Sequence, residues 1–251
     1  MRLALWQGRS PAADLTRAVA EAEAALAAAA TLGADALVLP EIWLPGYNQP
    51  DIAAQALTLD SPPLRHLSDA ARARKTALIV GYAEREADRI YNSAVCFGPD
   101  GEMLANYRKI QLFGPREKAI YSSGNAYATF DLAGEKAALL ICYDLEFAPH
   151  VKALADQGVT VILNPTANMR PFYYVVRHTV PAQAASHGVT IVYANYCGDE
   201  GDLTYLGHSL IAGPHGEVLA QAGETPCLLV AEVPARDPAL LATQATDLRV
   251  I

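Results

Sequence analysis

The chain has 251 residues, of which 52% are hydrophobic and 18% charged, a composition typical of a folded globular protein rather than a disordered one. Its 27 acidic residues outnumber its 19 basic residues, and the resulting formal charge of −8 argues against nucleic acid or an anionic membrane as a partner. The four cysteines are scattered and form no C-x-x-C pair, so the sequence predicts neither a disulfide scaffold nor a cysteine-rich metal site.

Strands and helices are predicted to alternate in the first part of the chain. An apolar run at 2–7 predicts a strand, and Ser10 followed by Pro11 is typical of a helix start. The alanine-rich run that follows predicts a helix over 11–32 that ends near Gly33. The next predicted elements are a buried strand at 35–39, a helix from Ser61 to about Arg74, and a strand at 76–81.

The rest of the chain combines two predicted hairpins with further alternation of strands and helices. Asp100-Gly101 predicts a turn between two strand-like runs, and Pro214-His215-Gly216 predicts a second. The predicted elements are strands at 91–98, 102–108, 136–142, 159–163, 189–195, 207–212, 217–221 and 227–233, and helices at 145–156 and 172–187. We therefore expect one domain over residues 1–251, an α/β fold with mixed sheets and helices outside.

Three reactive side chains lie at or just past the ends of predicted strands, where functional sites of α/β proteins gather. They are Glu41, Lys109 and Cys142. A thiol needs a base or a nearby cation to become a nucleophile, and a carboxylate in an apolar pocket has a pKa suited to taking its proton. An ammonium and the backbone N–H of Tyr143 could stabilise the oxyanion of an acyl-transfer intermediate. The alternative is a core cysteine with two surface charges.

The local sequence around these residues carries the more specific signal. The segments are Leu39-Pro40-Glu41 through Pro45-Gly46-Tyr47, Tyr107-Arg108-Lys109 followed by Glu117, and Leu140-Ile141-Cys142-Tyr143-Asp144. In content and order they resemble the glutamate, lysine and nucleophile motifs of the nitrilase superfamily of carbon–nitrogen hydrolases. Later segments at 164–168, 193–195 and 207–216 are similar to further landmarks of that family. The resemblance covers nearly the whole chain.

The resemblance implies a mechanism and an architecture. Glu41 would be the general base, Lys109 the oxyanion stabiliser and Cys142 the nucleophile that forms a thioester. Glu117 would be a second glutamate that positions substrate or assists proton transfer. The implied fold is a four-layer αββα sandwich that pairs into homodimers or higher homo-oligomers through the helices near the nucleophile, and the chemistry requires no cofactor.

Residues beside the nucleophile indicate the branch of the family. Tyr143 and Asp144 after the cysteine resemble amidases and carbamoyl hydrolases more than nitrilases. Glu146 occupies a position where relatives that bind a substrate carboxylate carry arginine, so we expect a neutral or amino-bearing amide such as an amino acid amide. The alternative for Glu146 is an acid at a helix N-terminus. Tyr47, Tyr143 and Asn168 are the other predicted substrate contacts.

Competing interpretations remain open from sequence. An N-carbamoyl amino acid or amine hydrolase is the second enzyme hypothesis, a nitrilase the third, and a non-catalytic binding scaffold the non-enzyme hypothesis. A Cys–His hydrolase would pair Cys142 with His178, His187 or His208 but leaves the other two reactive residues unexplained. No H-x-H, H-E-x-x-H or nucleotide-binding glycine motif occurs, so no metal or cofactor is expected. With no apolar span of about 18 residues and no signal peptide, we expect a cytoplasmic protein.

Overall fold

Two six-stranded mixed sheets face each other in the computed structural model, which describes residues 1–247 and 249. The first sheet has the order β14-β1-β2-β3-β4-β5, and the second has the order β13-β12-β9-β8-β7-β6. The first comprises β1 (Arg2–Gln7), β2 (Ala36–Val38), β3 (Ala77–Glu86), β4 (Arg89–Phe97), β5 (Met103–Arg108) and β14 (Cys227–Glu232). The second comprises β6 (Thr129–Leu132), β7 (Glu135–Leu139), β8 (Val161–Pro165), β9 (Thr190–Ala194), β12 (Leu210–Ala212) and β13 (Val218–Gln221). A separate hairpin pairs β10 (Cys197–Glu200) with β11 (Leu203–Leu206).

The described residues form six α-helices, four of which cover the outer faces of the two sheets. They are α1 (Leu15–Thr31), α2 (Pro62–Arg74), α3 (Gly114–Ile120), α4 (Ala148–Asp156), α5 (Val180–His187) and α6 (Gln244–Asp247). The first two pack on the first sheet, and α4 and α5 flank the second. The predicted α/β fold, a four-layer αββα sandwich with mixed sheets and outer helices, is confirmed. In the part of the chain that the structure describes, no helix is both long and apolar enough to cross a membrane.

The core has two parts because side chains of a strand alternate between its faces. In β1, Leu3 and Leu5 belong to the buried cluster that includes the second sheet, whereas Ala4 belongs to the cluster beneath the outer helices. Four alanines of α1 are buried there with Leu26, and their small side chains let the helix lie close to the sheet. These alanines are Ala18, Ala22, Ala25 and Ala29.

The start of α1 differs from the prediction over 11–32. The helix begins at Leu15, because Asp14 caps it by accepting a hydrogen bond from the Arg17 N–H at 2.9 Å. Ala12 and Ala13 have positive φ angles of 51° and 68°. The Ala13 N–H donates to the Pro45 carbonyl at 2.9 Å, so a tertiary contact holds this segment out of the helix.

The segment around the nucleophile candidate also differs from the prediction. The strand predicted at 136–142 ends at Leu139, and Cys142 starts a 3-10 turn, Cys142–Glu146. The helix predicted at 145–156 therefore begins only at Ala148. The helix predicted at 172–187 is a π-helical turn, Val175–Thr179, followed by α5. Both hairpins are confirmed, whereas α3, β6, β10 and β11 were not predicted.

Candidate active site

Strand direction brings two of the predicted residues to the same edge of the first sheet. β2 runs parallel to β3, and β5 runs in the same direction because β4 is antiparallel to both of its neighbours. Glu41 follows β2 and Lys109 follows β5, so both side chains leave the sheet at the carboxyl ends of their strands. The Lys109 Nζ lies 2.6 Å from Glu41 Oε1. Both side chains are fully buried.

A glycine lets the turn that carries Glu41 approach the sheet. A Cβ at Gly81 in β3 would lie 2.5 Å from both the Ile42 nitrogen and the Pro40 oxygen, and 2.9 Å from the Glu41 Cα. Such distances are far below ordinary carbon contacts, so only glycine fits there. The Glu41 N–H also donates to the Thr166 carbonyl at 3.3 Å, which links this turn to the second sheet.

Lys109 lies between two carboxylates. Its Nζ donates to Glu41 Oε1 at 2.6 Å and to Glu117 Oε1 at 2.8 Å. Asn92 Nδ2 donates to the same Glu41 oxygen at 2.6 Å. The other oxygen, Glu41 Oε2, is buried and accepts no hydrogen bond from the described residues. One carboxylate oxygen is therefore fixed, and the other is available for a proton.

Glu117 reaches this cluster from α3. Its Oε1 accepts a hydrogen bond from the Tyr47 hydroxyl at 2.6 Å, and its Oε2 accepts one from the Phe113 N–H at 2.8 Å. Glu117 is fully buried. The structure thus places the second predicted glutamate beside Lys109 and against a predicted substrate-contact residue.

Burial and charge set the protonation of this cluster. Burial raises the pKa of Glu41, and the negative charge of Glu117 raises it further, while Lys109 opposes both. Burial acts to lower the pKa of Lys109, but Glu117 and Glu41 outweigh it and hold that pKa well above its ordinary value. Lys109 is therefore an ammonium, and Glu41 has the raised pKa that suits a general base.

Cys142 stands at the head of the 3-10 turn with a φ of 46°. Burial raises the pKa of its thiol well above the ordinary value, the Glu41 carboxylate adds to that rise, and the Lys109 ammonium opposes it. The resting thiol is thus protonated. It needs a base to become a nucleophile, and Glu41 is the carboxylate that acts on it electrostatically.

Asp144 ties the cysteine turn to the segment after Lys109. Its Oδ2 accepts hydrogen bonds from the Tyr107 hydroxyl at 2.8 Å and the Ile141 N–H at 3.1 Å, and its Oδ1 accepts one from the Gln111 N–H at 2.7 Å. The carboxylate is fully buried. The sequence analysis included neither Asp144 nor Asn92 among the site residues, although an amide side chain within a predicted strand was a usable signal for Asn92.

A narrow pocket opens beside Cys142. The space free of protein atoms between its walls and at its mouth, open solvent included, is about 320 Å³. Its walls are mainly aromatic and include Phe113, Phe172 and Tyr174. The predicted substrate contacts Tyr47, Tyr143, Glu146 and Asn168 all line it.

The histidines of the competing Cys–His hypothesis lie elsewhere. His178 and His187 line a shallow depression on the outer surface of α5, and His208 contacts the Tyr173 ring and lies 3.6 Å from Glu224. None of the three lines the pocket beside Cys142. Within residues 1–247 and 249, no group of three or more His, Cys, Asp or Glu side chains is arranged to hold a metal ion.

Comparison with known proteins identifies related sequences and folds. Residues 2–239 match the family described as carbon-nitrogen hydrolase. A hydrolase encoded in the pqqF 5′ region of Pseudomonas protegens is 40% identical over 201 residues, covering 78% of this chain and 70% of that protein. An (R)-stereoselective amidase from a Pseudomonas species is 36% identical over 192 residues, covering 75% and 69%.

A solved structure shows the same fold. It is a variant of the amidase from Nesterenkonia sp. AN1 with acrylamide added at the active-site cysteine. It aligns with a TM-score of 0.89 and 34% identity over 93% of both chains.

Proposed function

The chain belongs to the carbon-nitrogen hydrolase family, and we propose on that basis that it is an amidase that converts a small carboxamide to a carboxylic acid and ammonia. The observation that carries the proposal is the buried Glu41–Lys109–Glu117 cluster beside the cysteine that lines the pocket. The pocket is narrow and half of its lining residues are aromatic, so it suits a small acyl group.

In the proposed first step, the Cys142 thiol proton passes to Glu41 Oε2 as Sγ attacks the carboxamide carbon. A carbon–sulfur bond forms, and the carbonyl oxygen becomes an oxyanion. We assign its stabilisation to the Lys109 ammonium and the Tyr143 backbone N–H. Losing one such donor typically costs about 10²–10³ in rate.

The intermediate then collapses and releases ammonia. The carbon–nitrogen bond breaks as Glu41 returns the proton to the leaving nitrogen, and a thioester remains on Cys142. Water attacks this thioester and gives a proton to Glu41, the carbon–sulfur bond breaks, and the thiolate recovers the proton. Water is the only co-reactant, and the products are a carboxylic acid and a regenerated thiol.

Two comparisons support this assignment. One relative is an (R)-stereoselective amidase from a Pseudomonas species, and in a variant of the Nesterenkonia amidase acrylamide is covalently added at the active-site cysteine. Glu41 is a base with a raised pKa, and its charge acts on the protonated thiol of Cys142. This supports a role for Cys142 as the nucleophile. Carbamoyl compounds and nitriles remain the alternative substrate classes.

The test is ammonia release from a panel of small carboxamides, N-carbamoyl amino acids and nitriles. We expect release from carboxamides, its loss in Cys142→Ala, and wild-type rates in Cys227→Ala, which removes a half-buried cysteine outside the pocket. Acyl transfer to hydroxylamine would report the thioester. Carbon dioxide release with ammonia would instead indicate a carbamoyl hydrolase, and turnover that survives in Cys142→Ala would refute the nucleophile assignment.

We also propose that the chain forms a homodimer or a higher homo-oligomer through the outer surfaces of α4 and α5. The support is the family resemblance and a shallow depression there that is lined by Ala148, Ala182 and His187. Ala182 is exposed, so Ala182→Arg should dissociate the assembly in sedimentation equilibrium. A monomeric wild-type chain would contradict the proposal. The expected cytoplasmic location stays a prediction.

A further inference from the structure

Glu146 is the charged member of the pocket wall. It is the last residue of the 3-10 turn that Cys142 begins, and it is the single Asp, Glu, Lys, Arg or His among the ten described residues that line the pocket. Its Oε2 accepts a hydrogen bond from the Tyr174 hydroxyl at 2.8 Å. Across residues 1–247 and 249, no basic side chain forms an ion pair with it. A partly buried carboxylate thus faces the pocket with one neutral hydrogen-bond donor.

The surroundings of Glu146 favour a cation. Tyr143, Phe172 and Tyr174 line the same pocket, and ring faces attract positive charge electrostatically. The Phe172 and Tyr174 rings meet edge to face, with centroids 6.4 Å apart. The Tyr174 hydroxyl orients one carboxylate oxygen, which leaves Oε1 to accept a charge-assisted hydrogen bond from a ligand.

The inner cluster has no surplus of positive charge. It combines the single ammonium of Lys109 with the carboxyl groups of Glu41 and Glu117, and both hydrogen bonds from Lys109 are directed to those groups. A substrate carboxylate in the pocket would therefore meet Glu146 without a free cation to offset the repulsion. A substrate ammonium would meet a carboxylate and aromatic rings.

We propose that Glu146 determines substrate specificity by binding an ammonium group on the acyl portion of the amide while Cys142 attacks the amide carbon. This inference rests on the proposed amidase function and narrows its substrate class to amino-bearing carboxamides. Tyr174 is a positioning residue that orients the Glu146 carboxylate. The competing interpretation is structural, with Glu146 serving only to anchor Tyr174 at the pocket rim.

Isosteric substrate pairs separate charge recognition from shape. Glycinamide and propanamide, alaninamide and isobutyramide, and β-alaninamide and butanamide each differ by an ammonium in place of a methyl group. Measurement of kcat/KM at about pH 6.5 keeps the α-amino groups mainly protonated, since their pKa is about 7.7–8.0. The series also varies the distance between the ammonium and the amide carbon, and both alaninamide enantiomers belong in it.

We expect the wild type to prefer the ammonium member of at least one pair by about 10-fold or more. In Glu146→Gln, kcat/KM for that member should fall by about 10–100-fold, as expected for losing a hydrogen bond to a charged group. The ratio of kcat/KM between the two members should fall by a similar factor, since the amide oxygen can still accept from Tyr174 and keep the side chain in place. Circular dichroism reports whether the variant is folded.

Two further variants control the experiment. Glu102→Gln removes an exposed carboxylate outside the pocket and should leave every ratio unchanged. Tyr174→Phe keeps the charge of Glu146, so the ammonium preference should persist in reduced form. A purely structural role predicts instead that Glu146→Gln and Tyr174→Phe lower the rates on both members of a pair equally.

The outcomes separate this inference from the proposed function. Cysteine-dependent hydrolysis of the neutral amides without an ammonium preference in any pair would overturn the role of Glu146 and leave the amidase function intact. A preference that survives in Glu146→Gln would also overturn it. If the wild type hydrolysed no member of any pair, the proposed function would fail, and this inference with it.

Discussion

Asn92 Nδ2 donates a hydrogen bond at 2.6 Å to Glu41 Oε1, the same carboxylate oxygen that accepts a hydrogen bond from Lys109 Nζ. Its backbone carbonyl also accepts the Lys109 N–H at 2.8 Å. One residue of β4 thus fixes the carboxylate side chain of Glu41 and the backbone of Lys109. This makes Asn92 a positioning residue for both groups.

Replacement of Asn92 should therefore impair catalysis more than folding. In Asn92→Ala we expect kcat to fall by about 100-fold, the typical cost of misplacing a reacting group. The hydrogen bond from Asn92 lowers the pKa of Glu41, so its loss should raise that pKa. The acidic limb of the kcat/KM profile should then shift to higher pH, because the carboxylate must be ionised to act as a base. An unshifted limb would contradict this role.

Removal of the buried ammonium should destabilise the protein strongly. Lys109→Met leaves the carboxyl groups of Glu41 and Glu117 buried without their shared cation. Breaking such a buried ionic cluster typically lowers the free energy of unfolding by about 3–5 kcal/mol. Urea denaturation measures this change, and Lys152→Met, which removes an exposed helical ion pair with Asp156, should remain close to the wild type.

The stability of the same variant should depend on pH more strongly than that of the wild type. Lys109 lowers the pKa of Glu41 in the wild type, so its removal should raise the folded-state pKa of Glu41 further above the unfolded value of about 4.3, and the folded state then binds a proton that the unfolded state has released. Its stability relative to the wild type should thus improve as the pH falls from about 8 towards about 5. In the wild type the raised pKa of Lys109 contributes stability below the unfolded value of about 10.4, and this contribution is present at neutral pH. If Lys109→Met lost the same free energy of unfolding at every pH in this range, buried carboxylates would not be the cause of that loss.

Asp144 should be needed for the position of the cysteine turn. Asp144→Asn replaces one of its two acceptor oxygens by an NH₂ group that faces the hydrogen-bond donors of Ile141 or Gln111. We expect the free energy of unfolding to fall by about 1–3 kcal/mol. The rate of Cys142 alkylation by acrylamide should fall as well. A variant with reduced stability but unchanged alkylation would limit Asp144 to a structural role.

Gly81→Ala should displace the turn that carries Glu41. The added Cβ would lie 2.5 Å from two backbone atoms that cannot rotate away. We expect a loss of about 1–3 kcal/mol in the free energy of unfolding from this overpacking. Activity should fall by about 100-fold through misplacement of the base. Gly223→Ala is the matched control, since nothing lies within 4 Å of its added Cβ, and it should retain both properties.

The site residues that lie at strand ends could be predicted from the sequence. Glu41 and Lys109 each follow an apolar run, and the direction of those strands brings them to one edge. The contact between Glu117 and Lys109 depended on the family resemblance, because α3 was not predicted and no local pattern joins the two residues. Their meeting is a tertiary contact that periodicity does not encode.

Local signals failed where distant segments set the backbone. Ser10 followed by Pro11 is typical of a helix start, yet the helix begins only at Leu15. The reason is that the Ala13 N–H donates to the Pro45 carbonyl, and Asp14 then caps the helix. The run before Cys142 was uniformly apolar, so its periodicity could not mark the end of the strand at Leu139. The three hydrogen bonds to Asp144 set that turn.

The pairing of β1 with β14 has a consequence for biosynthesis. Arg2 lies opposite Glu232 in this antiparallel pair, and the Val233 N–H donates to the Met1 carbonyl at 2.9 Å. While the ribosome is still translating the middle of the chain, the β1 edge of the sheet that bears Glu41 and Lys109 has no neighbour. An open strand edge invites pairing with other chains, and contacts so distant in sequence form slowly. This edge of β1 is therefore covered only after Cys227–Glu232 has left the ribosome, so the first sheet is completed after all of its other strands have been synthesised.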